Sequence, residues 1–494
     1  MRSSKSRSLD GPSKRKIFIS IGLALIVLTS FFCGYFTQFA FRGSGEKHVS
    51  DVVKIMDQVG YVYDEKNDTY VKIEGEKIAK LISGNFLDGY SYYYTEEEYQ
   101  KQLAEDKGNY DGFGISVYSA PDILEVAGSN EVYSVVCNSP SYNAGVRAGD
   151  VIYKASIKDG QESLINNAKE LNEFLATPKL GEEVTLYIER NGEQLEPIVL
   201  NKAKYTVCYA QYQDSEEFMY FAPEYGGRMV NVNDALNCKK VIKNPCPEYG
   251  DDIAYVKLTS FEGSVAVQFG ACLEYMVSRG RSKLILDLCD NGGGNMEVLK
   301  DVGSYLIYNY GNGNAILAIA HERLDAVEPE DFLAEGYRTT HFRAYENNFN
   351  KGIVQISVLA NSGTASAAEC LIGAMISYAD AEPPETKEKN EEKFSRNNVI
   401  VIDDDGDGKY ATFGKGVMQT TYELNSGGAL KITTAKLIWP DRETCIHRKG
   451  ISPLDIDGNV IVENQADTHQ AGISRAIDIL NAFIPEPNDG LNNK

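Results

Sequence analysis

The sequence lacks any cluster of cysteines and histidines at zinc-binding spacing. Its nine cysteines are scattered at positions 33, 137, 208, 238, 246, 272, 289, 370 and 445 with no Cys-x-x-Cys, which excludes a structural zinc site and a redox-active dithiol of that type. Only Cys238 and Cys246, in NCKKVIKNPC, lie close enough for a local disulfide, and several others sit in apolar segments as ordinary buried thiols do. Histidine is scarce too. None of the five, at 48, 321, 341, 447 and 469, stands in a glycine-rich loop, and only His447, in CIHRKGISP, is placed to rival another residue as a base. An excess of positive charge is missing: the formal net charge of −22 argues against nucleic acid as a partner. Phosphate-binding fingerprints are missing as well. After DLCDNGGGN, Glu297 stands where a dinucleotide loop needs its last glycine, and in FGKGVMQ Gly416 stands where a phosphate loop needs Ser or Thr.

What is present is a chain of 494 residues, 43% hydrophobic and 24% charged, the balance of a folded protein with roughly two to four domains. Residues 1–16 form a basic tail, with Arg2, Lys5, Arg7, Lys14, Arg15 and Lys16 against Asp10. Residues 17–41, IFISIGLALIVLTSFFCGYFTQFAF, carry no charge and are long enough for one transmembrane helix, with the basic side in the cytoplasm and the rest of the chain outside. A cleaved signal peptide is the alternative, but the run exceeds the usual apolar core and no small-x-small site follows it.

Residues 42–107 read as a small helical region. Within it, Thr95 and Glu98 in GYSYYYTEEEYQKQLAE have the spacing of a capping box ahead of a Glu-rich turn. Residues 108–205 change to short β-type runs with one helical pattern, NNAKELNEFLA, so a compact β-rich module is expected there. Residues 206–250 read as a connecting segment. Residues 251–485 alternate strand and helix, which predicts an α/β core with functional groups at strand ends. An insert at 381–398, AEPPETKEKNEEKFSRNN, reads as an exposed charged loop.

Three loops carry chemistry. In NSGTASAAEC, residues 361–370, the strand IVQISVLA turns into a helix and leaves Ser366 in the first helical turn. Unpaired N–H groups and the helix dipole favour developing negative charge at that place. This suits a nucleophile, and a Ser/Thr cap on an Ala-rich core helix is the plainer alternative. The glycines of DLCDNGGGN supply either backbone donors for an oxyanion or a tight turn. Lys415, between two glycines, can approach another backbone closely; if buried, its pKa falls below the usual value of about 10.4, toward a base able to take a serine proton. Serine with lysine is an established alternative to serine with histidine. Asp403, Asp405 and Asp407 in DDDGDGKY begin like a calcium loop, but Gly414 stands at its twelfth position and a solvated acidic turn is the simpler reading. Lys409 in that turn is a poor rival base, since its carboxylate neighbours favour the ammonium.

The stretches GFGISV, SPSYNAGVRAGDVIYKAS and VTLYIERNGEQLEPIVL resemble a bacterial PDZ domain. The resemblance implies that Gly112, Phe113, Gly114 and Ile115 form a carboxylate loop, and that the following strand takes a peptide by β-augmentation. In order along the chain, DLCDNGGG, TASAAE, FGKGVMQ and GISPLD are similar to the motifs of the carboxy-terminal processing peptidases, also called tail-specific proteases. That resemblance, from about residue 80 to residue 460, implies a multidomain protein: transmembrane helix, helical region, PDZ domain and α/β serine protease core. It implies Ser366 as nucleophile, Lys415 as general base, Gln419 as the residue orienting the lysine, and the N–H groups of Gly293 and Ala367 as oxyanion donors. No cofactor is implied. The partners are proteins or peptides with exposed apolar C-termini and the membrane, and homo-oligomerisation stays open. Cys289, Gly292 and Ala368 replace the family's arginine, proline and second serine, and the insert lengthens the interval between Ser366 and Lys415 at modest entropic cost. A catalytically inactive PDZ scaffold and an esterase or amidase with the same dyad remain alternatives. The presence of Ser, Lys and Gln argues against the first, and the PDZ module against the second.

Overall fold

The computed structural model describes residues 63–64, 69–70, 75–117, 129–223, 229, 231–242, 248–307, 315–323, 337–345, 352–380, 394–455 and 457–482. The basic tail, the expected span at 17–41, Cys246 and residues 381–393 of the insert lie outside the described residues. Among the described residues no helix is long and apolar enough to cross a membrane. The chain divides into two units, residues 1–85 and 86–494. In the first, β1 (Tyr63–Asp64) pairs antiparallel with β2 (Thr69–Tyr70), followed by α1 (Gly75–Phe86).

The second unit begins with β3 (Tyr92–Tyr94) and α2 (Glu96–Glu105). The capping box closes: Thr95 accepts from the Glu98 N–H and Glu98 accepts from the Thr95 N–H, an arrangement worth about 1 kcal/mol. The three tyrosines before it form a strand, as their β-propensity favours.

The β-rich module comprises β4 (Asn109–Gly112), β5 (Ile115–Val117), β6 (Val132–Val135), α3 (Pro140–Ala144), β7 (Val151–Ile157), β8 (Ser163–Leu164), α4 (Ala168–Ala176), β9 (Glu183–Arg190), β10 (Glu193–Gln194), β11 (Ile198–Asn201) and β12 (Ala203–Thr206). Along β9, Val184, Leu186 and Ile188 alternate inward. With Ile152, Leu171 and Phe113 they form a core separate from the rest of the unit.

The α/β core follows: β13 (Ala210–Gln213), β14 (Phe218–Phe221), α5 (Val232–Leu236), β15 (Lys239–Ile242), β16 (Ile253–Leu258), α6 (Val265–Ser278), β17 (Lys283–Asp287), α7 (Met296–Leu306), β18 (Ile316–Arg323), β19 (Tyr337–Arg343), β20 (Gln355–Asn361), α8 (Ala367–Asp380), β21 (Val399–Ile402), β22 (Val417–Glu423), β23 (Ala429–Ile438), β24 (Gln465–Ala466) and α9 (His469–Ala482). Its main sheet has the order β15-β14-β13-β16-β17-β20-β21-β24, parallel from β16 to β24. Residues 206–250, expected to be only a connecting segment, contribute three antiparallel strands to this sheet.

Both faces of the parallel strands are covered, so their residues alternate between two cores. Leu284, Leu286, Ile356, Val358, Val399 and Val401 face one core with residues of α6, α7 and α8. Ile285, Leu359, Ile400 and Ile402 face the other, with Ile473, Ala476 and Leu480 of α9. A second, antiparallel sheet runs β19-β18-β23-β22, with β3 added beside β23.

Candidate active site

β17 and β20 are parallel neighbours, Asp287 opposite Leu359, so the loops 288–295 and 362–366 leave the same edge of the sheet, where α/β proteins place their chemistry. The first loop is anchored by Asp287, fully buried. Its carboxylate accepts from the Cys289 N–H (2.8 Å) and the Tyr255 hydroxyl, and it contacts His469 Nε2 (2.7 Å) and Lys257 Nζ (3.8 Å). Burial pushes its pKa up, but Lys257, His469 and Tyr255 outweigh that and hold it far below the usual carboxylate range. Farther along, the loop meets the serine turn. A Cβ on Gly293 (φ +94°) would lie 2.7 Å from Ser366 Cβ and 2.8 Å from both the Ala365 oxygen and the Ala367 nitrogen. Only glycine permits that approach. Asn291 stitches the loops together, its carbonyl accepting from the Ala365 N–H (2.9 Å) and its Nδ2 donating to the Leu258 carbonyl (2.8 Å).

Ser366 sits one residue before α8, not within its first turn as expected, at φ +57°. A left-handed serine costs roughly 1–2 kcal/mol and is held here by its N–H donating to Glu369 Oε2 at 2.9 Å. Such a strained strand-turn-helix corner is a known way of presenting a nucleophile. Ala367 opens the helix, so its N–H has no intrahelical acceptor.

Glu369 is the functional residue that reading the sequence passed over. Fully buried, it accepts N–H bonds from Ser366 and Lys415 on Oε2 (both 2.9 Å), and on Oε1 from the Gly414 N–H (2.8 Å) and the Thr412 hydroxyl. Burial raises its pKa, and these four bonds only partly offset the rise. The signal was a lone acid in the small and apolar run AAECLIGAM, where a carboxylate needs partners.

The lysine loop is held from two sides. Its Phe413 N–H donates to the Thr364 carbonyl (3.0 Å), and the Arg448 N–H donates to the Gly414 carbonyl (2.7 Å). Added Cβ atoms on Gly414 and Gly416 would lie 2.7 Å from the nitrogens of Gly450 and His447, so the GKG pattern lets this loop pack on the segment leading into GISPLD. Burial and then Lys431 lower the pKa of Lys415, with Asp88 and Glu369 pulling the other way. Its Nζ stands 5.0 Å from the ring centroid of Tyr90.

Other parts of the expected constellation are not joined. Ser366 and Lys415 share a cleft but no hydrogen bond between Oγ and Nζ is formed. Gln419 donates to Thr433 Oγ1 (2.9 Å) instead of meeting the lysine. The Gly293 N–H, expected to serve an oxyanion, donates to Asn291 Oδ1 (2.9 Å). His447 packs against Gly416, does not line the cleft, and its buried Nδ1 has no hydrogen-bond partner.

The sequence profile of peptidase family S41 matches residues 252–382 and 408–457, which contain all three loops. Over these residues the chain is similar to peptidase family S41. The chain is 24% identical over 462 residues to a probable CtpA-like serine protease of Staphylococcus saprophyticus, covering 91% of this chain and 75% of the relative. It is 24% identical over 439 residues to the carboxy-terminal processing protease CtpA of Bacillus subtilis, covering 87% and 75%. A solved photosystem II D1 C-terminal processing protease overlaps 82% of this chain and 85% of its own, at 16% identity and a TM-score of 0.41.

The cleft is about 600 Å³ and is lined by Ser366, Lys415, Gln419, Phe342, Glu262 and Lys431, among others. Burial, then Asp106, push the Glu262 carboxyl up to about 6. Among the described residues two groups have the donors for a cation. Asp287, Cys289 and His469 form one, already occupied by mutual contacts and Lys257; Asp403, Asp405 and Asp407 form the other. In the second, Asp403 accepts from the Asp407 and Gly408 N–H groups and Lys409 pairs with Asp407. The residues expected to form a carboxylate loop lie together where β4 ends and β5 begins: Gly112 and Gly114 at φ +156° and +75°, Phe113 buried in the module core, and Ile115 opposite Val135.

Proposed function

We propose that the chain is a membrane-anchored, extracytoplasmic serine endopeptidase. In this reading it takes exposed protein C-termini on a PDZ domain at residues 108–205 and cuts peptide bonds with Ser366 and Lys415. The observation that carries the chemistry is Glu369, whose one carboxylate spans the serine turn and the lysine loop while Gly293 approaches that turn. Neutral Lys415 takes the Ser366 proton as Oγ attacks the carbonyl, then gives it to the leaving amine. Water releases the acyl-enzyme through the same base. The oxyanion falls to the Ala367 N–H and, once it leaves Asn291, to that of Gly293. Gln419 orients the lysine after exchanging its bond to Thr433. Docking is supported by β5, which among the described residues pairs with β6 alone and so leaves an edge for an extended peptide. A processing role at C-termini draws on the naming of the Bacillus subtilis relative, and anchoring on residues 17–41.

The second reading, an inactive scaffold that binds protein tails, draws on the unjoined Ser366 and Lys415 side chains and the engaged Gly293 N–H. One experiment separates the two. The full chain in detergent is given an unstructured protein ending in apolar or in charged residues. The peptidase reading predicts cleavage that prefers the apolar tail and disappears in Ser366→Ala and Lys415→Ala. Binding without cleavage by the unmodified chain supports the scaffold. Unchanged tail preference in Gly114→Ala, whose Cβ would lie 2.2 Å from Ser139 Cβ, would remove the docking role from that loop.

A further inference from the structure

Tyr90 belongs to a turn before β3, outside the residues that the S41 profile matches. The turn closes on itself: the Ser91 N–H donates to the Asp88 carbonyl (3.1 Å), while Asp88 Oδ1 accepts from the Ser91 hydroxyl (2.6 Å) and the Tyr90 N–H (3.2 Å). This is the local bonding by which aspartate stabilises a turn. The turn is also fastened to the core. Ser91 Oγ accepts from the Thr433 N–H at 2.9 Å, and Tyr92, Tyr93 and Tyr94 pair with Lys431, Leu430 and Ala429 of β23. The half-buried ring of Tyr90 is thereby presented to Lys415 Nζ, 5.0 Å from its centroid. Thr433, which holds the turn through its N–H, holds Gln419 through its hydroxyl. The Tyr90 turn and Gln419 therefore hang on one residue of β23.

We propose that Tyr90 is a positioning residue for the general base: its ring face receives the Lys415 ammonium formed when Ser366 gives up its proton. The proposal rests on the Ser366/Lys415 reading above. The proton leaves Ser366 Oγ, resides on Nζ, and passes to the leaving amine; in deacylation it comes from water and returns to Oγ, so no further reactant is required. A ring face attracts an ammonium through its quadrupole and has little hold on a neutral amine. It therefore supports the protonated lysine against burial and Lys431 of β23, while Asp88 of the turn and Glu369 of α8 act in the same direction as the ring.

The test is the pH profile of kcat/KM for the full chain, carrying Tyr90→Phe, Tyr90→Leu or Tyr90→Trp, beside Ser366→Ala and Lys415→Ala. Phenylalanine keeps the ring face and the wild-type acid limb. Leucine removes the attraction, so the limb moves to lower pH by roughly 0.4–1.5 units and kcat on the plateau falls roughly 2- to 30-fold. Tryptophan, with the strongest ring face, moves the limb to higher pH. A fraction folded that is constant across the limb scales the profile without moving it, so circular dichroism at each pH separates unfolding of a variant from these shifts. An unmoved limb in the leucine and tryptophan variants, with both alanine variants inactive, overturns this proposal alone. Cleavage by Ser366→Ala or Lys415→Ala overturns the dyad reading and this proposal with it.

Discussion

Glutamine in place of Glu369 changes one atom of the side chain that spans the serine turn and the lysine loop. Oε2 takes the N–H groups of Ser366 and Lys415, and Oε1 takes the Gly414 N–H and the Thr412 hydroxyl. A glutamine amide has one acceptor oxygen, which is best spent on Ser366 and Lys415. Its NH₂ group then faces Thr412, whose hydroxyl can turn to accept, and Gly414, whose N–H cannot. One buried donor without a partner costs about 1–3 kcal/mol, so Glu369→Gln lowers the unfolding free energy by about that amount. Glu369→Ala leaves four donors, the three N–H groups and the Thr412 hydroxyl, without this acceptor and reaches about 4–12 kcal/mol, comparable with the whole stability of a domain; glutamine is therefore the informative change. Weakening this tie also loosens the registry of the two loops, and displacement of a reacting group by about 1 Å can cost about 100-fold in rate. Urea unfolding at constant m-value reports the first effect and kcat on a peptide substrate the second. Unchanged midpoint and unchanged kcat in Glu369→Gln would refute the role given to this carboxylate.

Gly293→Ala places a Cβ within 2.8 Å of the serine turn at φ +94°. Because the obstruction is backbone, steady-state kinetics should show kcat lower by about 10²–10³, with a lesser change in KM. Lys431→Met removes a positive charge that lowers the Lys415 pKa, so the acid limb of kcat/KM moves to higher pH. In the unmodified protein the folded state binds the Lys415 proton more weakly than the unfolded chain does. This residue therefore makes stability rise with pH up to the unfolded value of about 10.4, a slope that calorimetry against pH should find reduced in Lys431→Met. Asp287→Asn leaves Lys257 without its carboxylate and should cost about 3–5 kcal/mol in chemical denaturation.

The core was legible in the sequence because its elements are local and strongly patterned. The runs KLILDL and NVIVID are apolar on both faces, as parallel strands between helices must be, and they fall at β17 and β21. The capping box of Thr95 and Glu98 is complete within four residues. What escaped the sequence depends on distant partners. The tyrosines at 92–94 pair with β23, more than three hundred residues away, and β13 finds β16 only through the sheet. Three glycines stand in a row at 292–294, yet only Gly293 and Gly294 need positive φ and close approach, while a Cβ on Gly292 would meet nothing within 4 Å. The left-handed conformation of Ser366 has no signature in residue type, and three of the four bonds of Glu369 join segments some 45 residues apart that no local pattern connects.

Whether Ser366 is a nucleophile activated by Lys415 is tested most directly by covalent labelling. The full chain would be treated with a serine-reactive fluorophosphonate across a pH series, and the adduct mapped by mass spectrometry of its peptides. The arrangement of the serine turn, Glu369 and the lysine loop predicts a single adduct at Ser366, formed faster as pH rises and lost in Lys415→Ala. Labelling at another residue, or undiminished labelling of Ser366 without Lys415, would contradict it.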